Sequence, residues 1–146
     1  MLLRLTPDQV AYAWDGLKEP IRQTLLPHLS VTDEALNNIL AGITQGVSQV
    51  WVLTDEVDGK NRVYAVGVTT FSVEGATGDK NLLIYSLYGF RFVPEKLWME
   101  GLEGLKRFAK ANGCGKLIAF TVVDRIVTIA RSLGANTNVR QIIWEV

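Results

Sequence analysis

From Asn81 to Val123 the chain reads as a β-rich run, an amphipathic helical run and a second β-rich run. Two strands joined through a helix in one sheet lie parallel, and the crossover is right-handed. This stretch therefore excludes an all-α fold and a purely antiparallel one. In the first run, Asn81 to Phe92, alternation puts Leu82, Ile84, Ser86 and Tyr88 on one face and Leu83, Tyr85 and Leu87 on the other. Both faces are mostly apolar, which predicts a central strand. Pro94 opens the helix, whose stripe of Leu97, Trp98, Gly101, Leu102, Leu105, Phe108 and Ala109 should face the sheet, burying Leu102, Leu105 and Phe108. Gly113 ends it, and Lys116 to Val123 reads as a buried strand parallel to the first.

The flanking segments extend the sheet. Leu2 to Leu5 suits a short strand. Thr6, Pro7 and Gln9 form a helix-start signature, with Thr6 as N-cap and Gln9 placed for a capping box. Val10, Ala13, Trp14 and Leu17 follow at helical spacing; Pro20 and Pro27 leave Ile21 to Leu26 as a short second piece at most. Ser30 or Thr32 caps another helix with a stripe of Leu36, Ile39, Leu40 and Ile43, and Gly46 stops it. Gln49 to Thr54 and Val63 to Val73 predict a hairpin around the turn signal Asp58-Gly59. Glu74 to Lys80 reads as a loop. A helix begins at Asp124 and ends at Gly134, and Val139 to Val146 reads as a closing strand.

With 146 residues, no linker and no repeat, the chain is expected to form one domain, 1–146. Hydrophobic residues reach 48% and charged residues 21%, enough for a sizeable core. Fifteen basic and fifteen acidic residues cancel, so nothing points to general nucleic-acid binding or a membrane surface. Cys114 is the sole cysteine and His28 the sole histidine, which rules out an internal disulfide and an ordinary zinc site. The opening residues are too short for a signal peptide, and no apolar run approaches the roughly 20 residues that span a bilayer. These features make a cytoplasmic location the expectation.

In order, the elements are strand, helix, helix, three strands, helix, strand, helix, strand. That α/β order, a mixed sheet with helices on both faces, resembles the Gcn5-related N-acetyltransferase (GNAT) fold over nearly the whole chain. Leu102 to Cys114 is similar to the family's long helix, and Ile129 to Ala135 to its last one. The resemblance implies acetyl-CoA held by a turn of the type [Arg/Gln]-x-x-Gly-x-[Gly/Ala], whose backbone N–H groups receive the pyrophosphate. The corresponding stretch, Val93-Pro94-Glu95-Lys96-Leu97-Trp98, has no glycine, and Pro94 has no N–H. Trp98, standing for a small residue, would fill the groove or pack into the core. Where the family often carries its tyrosine acid, this chain has Ala130.

The remaining candidates each have an ordinary role beside the functional one. Glu74 and Asp79 lie near where such folds place a general base, and a solvated loop explains them as well. Tyr85 and Tyr88 could donate protons, or pack within the strand. Gly89 marks either the bulge that exposes backbone to pantetheine or the strand end. Lys96 offers one positive charge to a cofactor. Cys114 suits a small buried residue, and His28 a loop. Trp14, Trp51, Trp98 and Trp144 suit core packing, and an exposed one would mark a partner surface.

Two readings follow. One is a GNAT-fold protein with a degraded acetyl-CoA site and no cofactor, acting as a binding or structural protein through another protein or self-association. Small proteins of this kind occur in phage genomes, where they would serve the virion or act in the host cytoplasm. The alternative is an acyl-CoA-dependent N-acetyltransferase with a divergent site, using acetyl-CoA.

Overall fold

The computed structural model describes residues 1–25 and 29–146, so His28 lies outside the described residues. A short strand β1, Leu2–Arg4, leads into helix α1, Pro7–Thr24. The capping box is formed: the Gln9 N–H donates to Thr6 Oγ1, and the Thr6 N–H donates to Gln9 Oε1. Pro20 does not end α1, contrary to the sequence expectation. Leu17, Ile21 and Leu25 are all buried across it. Burial at about 1.5–3 kcal/mol each exceeds the roughly 3 kcal/mol cost of an interior proline. Helix α2, Asp33–Thr44, is capped by Thr32, whose hydroxyl accepts from the Ala35 N–H.

Strands β2, Ser48–Val57, and β3, Lys60–Val73, pair up to the turn itself. Asp58 and Gly59 both have positive φ, 53° and 72°, the pattern of a type I′ hairpin turn. Strand β4, Lys80–Gly89, helix α3, Glu95–Ala111, strand β5, Lys116–Ala119, and helix α4, Asp124–Ser132, follow. The five strands stand in order β1-β2-β3-β4-β5. All neighbours are antiparallel except β4 and β5, which are parallel, as the crossover requires.

Helices α1 and α2 cover one face over Val10, Trp14, Ile21, Leu36, Val50, Val66 and Val68. Helix α3 covers the other, where Leu97 joins Leu53, Tyr64, Ala65 and Val93. On that face the Trp51 Nε1–H donates to Thr69 Oγ1 at 2.8 Å, and the Thr69 hydroxyl donates to Gln49 Oε1 at 2.7 Å. Trp51 also meets the ring of Phe108 edge-on, with centroids 4.9 Å apart.

Three expectations change. Leu102, Leu105 and Phe108 are only half-buried, and the buried residues of α3 are Leu97 and Ala109. Strand β5 stops at Ala119 and is not buried, because among the described residues no strand pairs with its outer side. Residues 139–146 form no strand.

Candidate functional site

Parallel strands put their carboxyl ends at the same edge of a sheet, where crevices form. Here β4 and β5 pair only from Asn81↔Lys116 to Ile84↔Ala119. Beyond that point β4 continues through Tyr85 to Gly89 without β5 alongside, and the strands part.

The parting coincides with a β-bulge. Val68 faces Ser86 and Thr69 faces Ile84, so Tyr85 is the extra residue. It disrupts the expected alternation: Tyr85, Ser86 and Tyr88 all turn to the α1–α2 face, where Ser86 and Thr24 share a hydroxyl–hydroxyl hydrogen bond. The bulge therefore lies at Tyr85 and not at Gly89. Gly89 ends the strand opposite Ala65, and a Cβ there would make only ordinary contact. Tyr85 is half-buried and lines a cavity of about 360 Å³ with Leu25, Ile39, Val68, Asn38 and Thr70. Among the described residues its walls carry apolar and hydroxyl or amide groups and no ionisable group other than the Tyr85 phenol. A larger hollow, about 770 Å³, lies between β1 and α3 against Arg4, Trp51, Arg107 and Phe108, away from the parting strands.

The turn from β4 into α3 flanks the mouth. Pro94 is the N-cap of α3 and brings no N–H. The Leu97 and Trp98 N–H groups both donate to the Pro94 carbonyl. Val93 and Leu97 are buried, and Trp98 packs beside them in the core, so it does not fill the groove. Its Nε1 is buried and has no hydrogen-bond partner among the described residues. Exposed Lys96 lies 3.9 Å from a Glu100 carboxylate oxygen. Two side chains tie the mouth together: Arg125 of α4 sits over the Phe92 ring, 4.8 Å from its centroid, and Tyr88 meets Phe90 at 5.1 Å. Phe90, Phe92, Phe120, Val122 and Val123 are exposed around the opening. The turn holds no glycine, Pro94 has no N–H to donate, and the Leu97 and Trp98 N–H groups are spent on the Pro94 carbonyl.

Tyr85 and Tyr88 come together on one face, while Lys96 and Gly89 lie at the turn side of the mouth. Glu74 and Asp79 do not join them. Their loop precedes β4, about 30 Å of strand from the mouth over its ten residues. The Glu74 carboxylate accepts from the Ala76 N–H in its own turn, and the Glu74 N–H donates to the Asp79 carbonyl. Cys114 is half-buried, its N–H bonded to the Ala109 carbonyl. Among the described residues no three His, Cys, Asp or Glu side chains gather as a metal site. The sequence reading offered a bulge at Gly89, as one of two alternatives, and missed its place at Tyr85 and the Arg125–Phe92 contact. The only signal for the bulge was a polar Ser86 on an otherwise apolar strand.

No protein-family model matches the chain, and no curated protein matches it in sequence. Solved structures do. One is a protein from Clostridium acetobutylicum described as a predicted acetyltransferase and solved with acetyl-CoA. It has TM-score 0.72 at 10% identity, over 99% of this chain and 95% of that one. Glucosamine-6-phosphate N-acetyltransferase from Arabidopsis thaliana gives 0.63 at 21% identity, over 99% and 97%. A GNAT family acetyltransferase from Staphylococcus aureus gives 0.61 at 11%, over 100% and 98%. At such identities the likeness concerns the fold, which is that of the GNAT acetyltransferases. No described helix is long and apolar enough to cross a membrane.

Proposed function

We propose that this GNAT-fold chain acts as a non-catalytic protein that binds a partner macromolecule at the carboxyl end of its sheet, and that it takes no CoA through the turn after β4. The observation that carries the reading is the character of the mouth. Where a pyrophosphate needs free backbone donors, this chain presents Pro94, the Glu95 side chain and exposed Phe90, Phe92, Val122 and Val123. An apolar patch rimmed by charge suits a protein surface. It does not suit a polyanion. The dipole of α3 offers an anion only about 0.3–1 kcal/mol. Micromolar binding needs about 8 kcal/mol. Lys96 is paired with Glu100 and screened by salt. Encoded by a phage, such a protein would work in the host cytoplasm or on the virion.

Calorimetric titration with acetyl-CoA tests this. No binding heat is expected up to roughly 1 mM ligand, about 4 kcal/mol of affinity. A dissociation constant near micromolar would overturn the reading.

One observation favours the alternative, an acyl-CoA-dependent N-acetyltransferase with a divergent cofactor site. The bulge at Tyr85 and the parting of β4 from β5 leave backbone groups open to an extended ligand. A crystal soaked with acetyl-CoA, showing pyrophosphate density against the Glu95 and Lys96 N–H groups, would establish that alternative.

A further inference from the structure

The hollow between β1 and α3 shares no lining residue with the mouth. At about 770 Å³ it has a size usual for small-molecule sites. Gly104 brings the two elements together there: a Cβ on it would lie 2.8 Å from Leu2 Cδ2. Much of the lining is apolar, supplied by Leu2, Trp51, Met99 and Phe108. Met99 is 49% exposed, an apolar side chain left to water.

Charge is distributed unevenly around this space. Glu100 and Glu103 line it, and each is already paired with a lysine: Lys96 stands 3.9 Å from Glu100 and Lys106 2.9 Å from Glu103. Arg107 follows Glu103 at the spacing of a helical ion pair, yet Glu103 takes Lys106 instead. Arg4 and Arg107 therefore line the hollow with no carboxylate partner among the described residues. Arg4 sits over the Phe108 ring, 5.3 Å from its centroid, and Arg107 is the neighbour of Phe108 on α3. Cation–π attraction positions a guanidinium without using its N–H donors. Two forks of unspent donors thus stand beside one aromatic wall.

We propose that this hollow binds a small aromatic monocarboxylate, its carboxylate taken by Arg4 and Arg107 and its ring laid against Trp51 and Phe108. Arginine's planar fork matches a carboxylate in bidentate geometry. The apolar lining disfavours a strongly hydrated inorganic anion, which would give up water for contacts that do not replace it. Glu100 and Glu103 repel a polyphosphate or a nucleic-acid backbone, whose charges outnumber the two guanidiniums. A single carboxylate on an apolar body suits both halves of the lining. The site stands whether or not the mouth binds CoA or a protein.

The test titrates the full chain with 2-naphthoate, by calorimetry and by proton–nitrogen NMR. A dissociation constant of roughly 0.1 mM is expected for a ligand of this size, with a shift of the Trp51 Nε1–H peak. 2-Naphthamide, of the same shape without the charge, should bind at least about 10-fold more weakly. Arg4→Gln and Arg107→Gln should each weaken binding of the acid about 10-fold and leave that of the amide unchanged. Both arginines are exposed, so these variants should melt with the parent. Arg22→Gln on α1 controls for net charge and should bind as the parent does. No binding at roughly 1 mM, equal affinity for acid and amide, indifference to both arginine variants, an equal loss in the control, or a Trp51 peak that stays still would each overturn the site.

Discussion

Thr69 is where α3 is keyed to the sheet, and replacing it tests the energetics of that face. The residue is 1% exposed. Its hydroxyl accepts from Trp51 and donates to Gln49 at once. Thr69→Val keeps the shape and removes both bonds. Trp51 Nε1 and Gln49 Oε1 then remain buried, each at about 1–3 kcal/mol if left unpaired. Valine's better fit to a strand returns only a few tenths of a kcal/mol. The expected loss is about 2–4 kcal/mol. Thr69→Ser keeps both bonds and gives up one methyl, about 1 kcal/mol. Urea unfolding followed by tryptophan fluorescence measures both, and an unchanged slope would confirm that the native states are comparable. If the valine variant is as stable as the serine variant, the hydrogen-bond pair is not what holds Trp51 in place.

Other perturbations probe the remaining elements. Phe108→Ala should cost about 2–3 kcal/mol, below the 3–5 of a fully buried phenylalanine, because the ring is half-exposed; a loss under about 1 kcal/mol in urea would show that its contacts with Trp51 and Phe71 are idle. Pro20→Ala should stabilise the chain by about 1–2 kcal/mol, restoring a helical N–H against some loss of stiffness in the unfolded chain; a lowered melting temperature would contradict this. The exposed Asp33 carboxyl is held below its usual range, chiefly by its hydrogen bond with Arg22 and then by that residue's charge. A depressed folded value means the pair's contribution is present above the ordinary carboxylate value near 3.9 and fades as pH falls through the folded one. Carbon NMR titration should find the Asp33 midpoint below that value and returned to it by Arg22→Ala.

Local chemistry made most of the frame legible. The Thr6–Gln9 box, the Thr32 cap and the Asp58-Gly59 turn are short-range devices, and each formed where its residues stand. The crossover from β4 to β5 was equally readable, since chirality and helix length leave one solution. What escaped depended on tertiary context. Pro20 signals a break until the burial of Ile21 on one side and Leu17 on the other is known. The bulge at Tyr85 sits in a run apolar on both faces, where no alternation exists to be interrupted. The hairpin strands run beyond the expected Thr54 and Val63, out to Val57 and back from Lys60, because polarity does not distinguish a loop from a solvated hairpin. At the mouth, the missing glycines were visible in the sequence, whereas the inward turn of Trp98 came from the packing around Leu97.

The loop from Glu74 to Asp79 also has a practical use. It closes on itself through its own backbone, is exposed, and stands a full strand's length from the mouth. Tips of this kind tolerate added sequence. A biotin acceptor peptide inserted between Gly75 and Gly78 would therefore tether every molecule to a sensor surface in one orientation, with the opening between β4 and β5 pointing into the flowing sample.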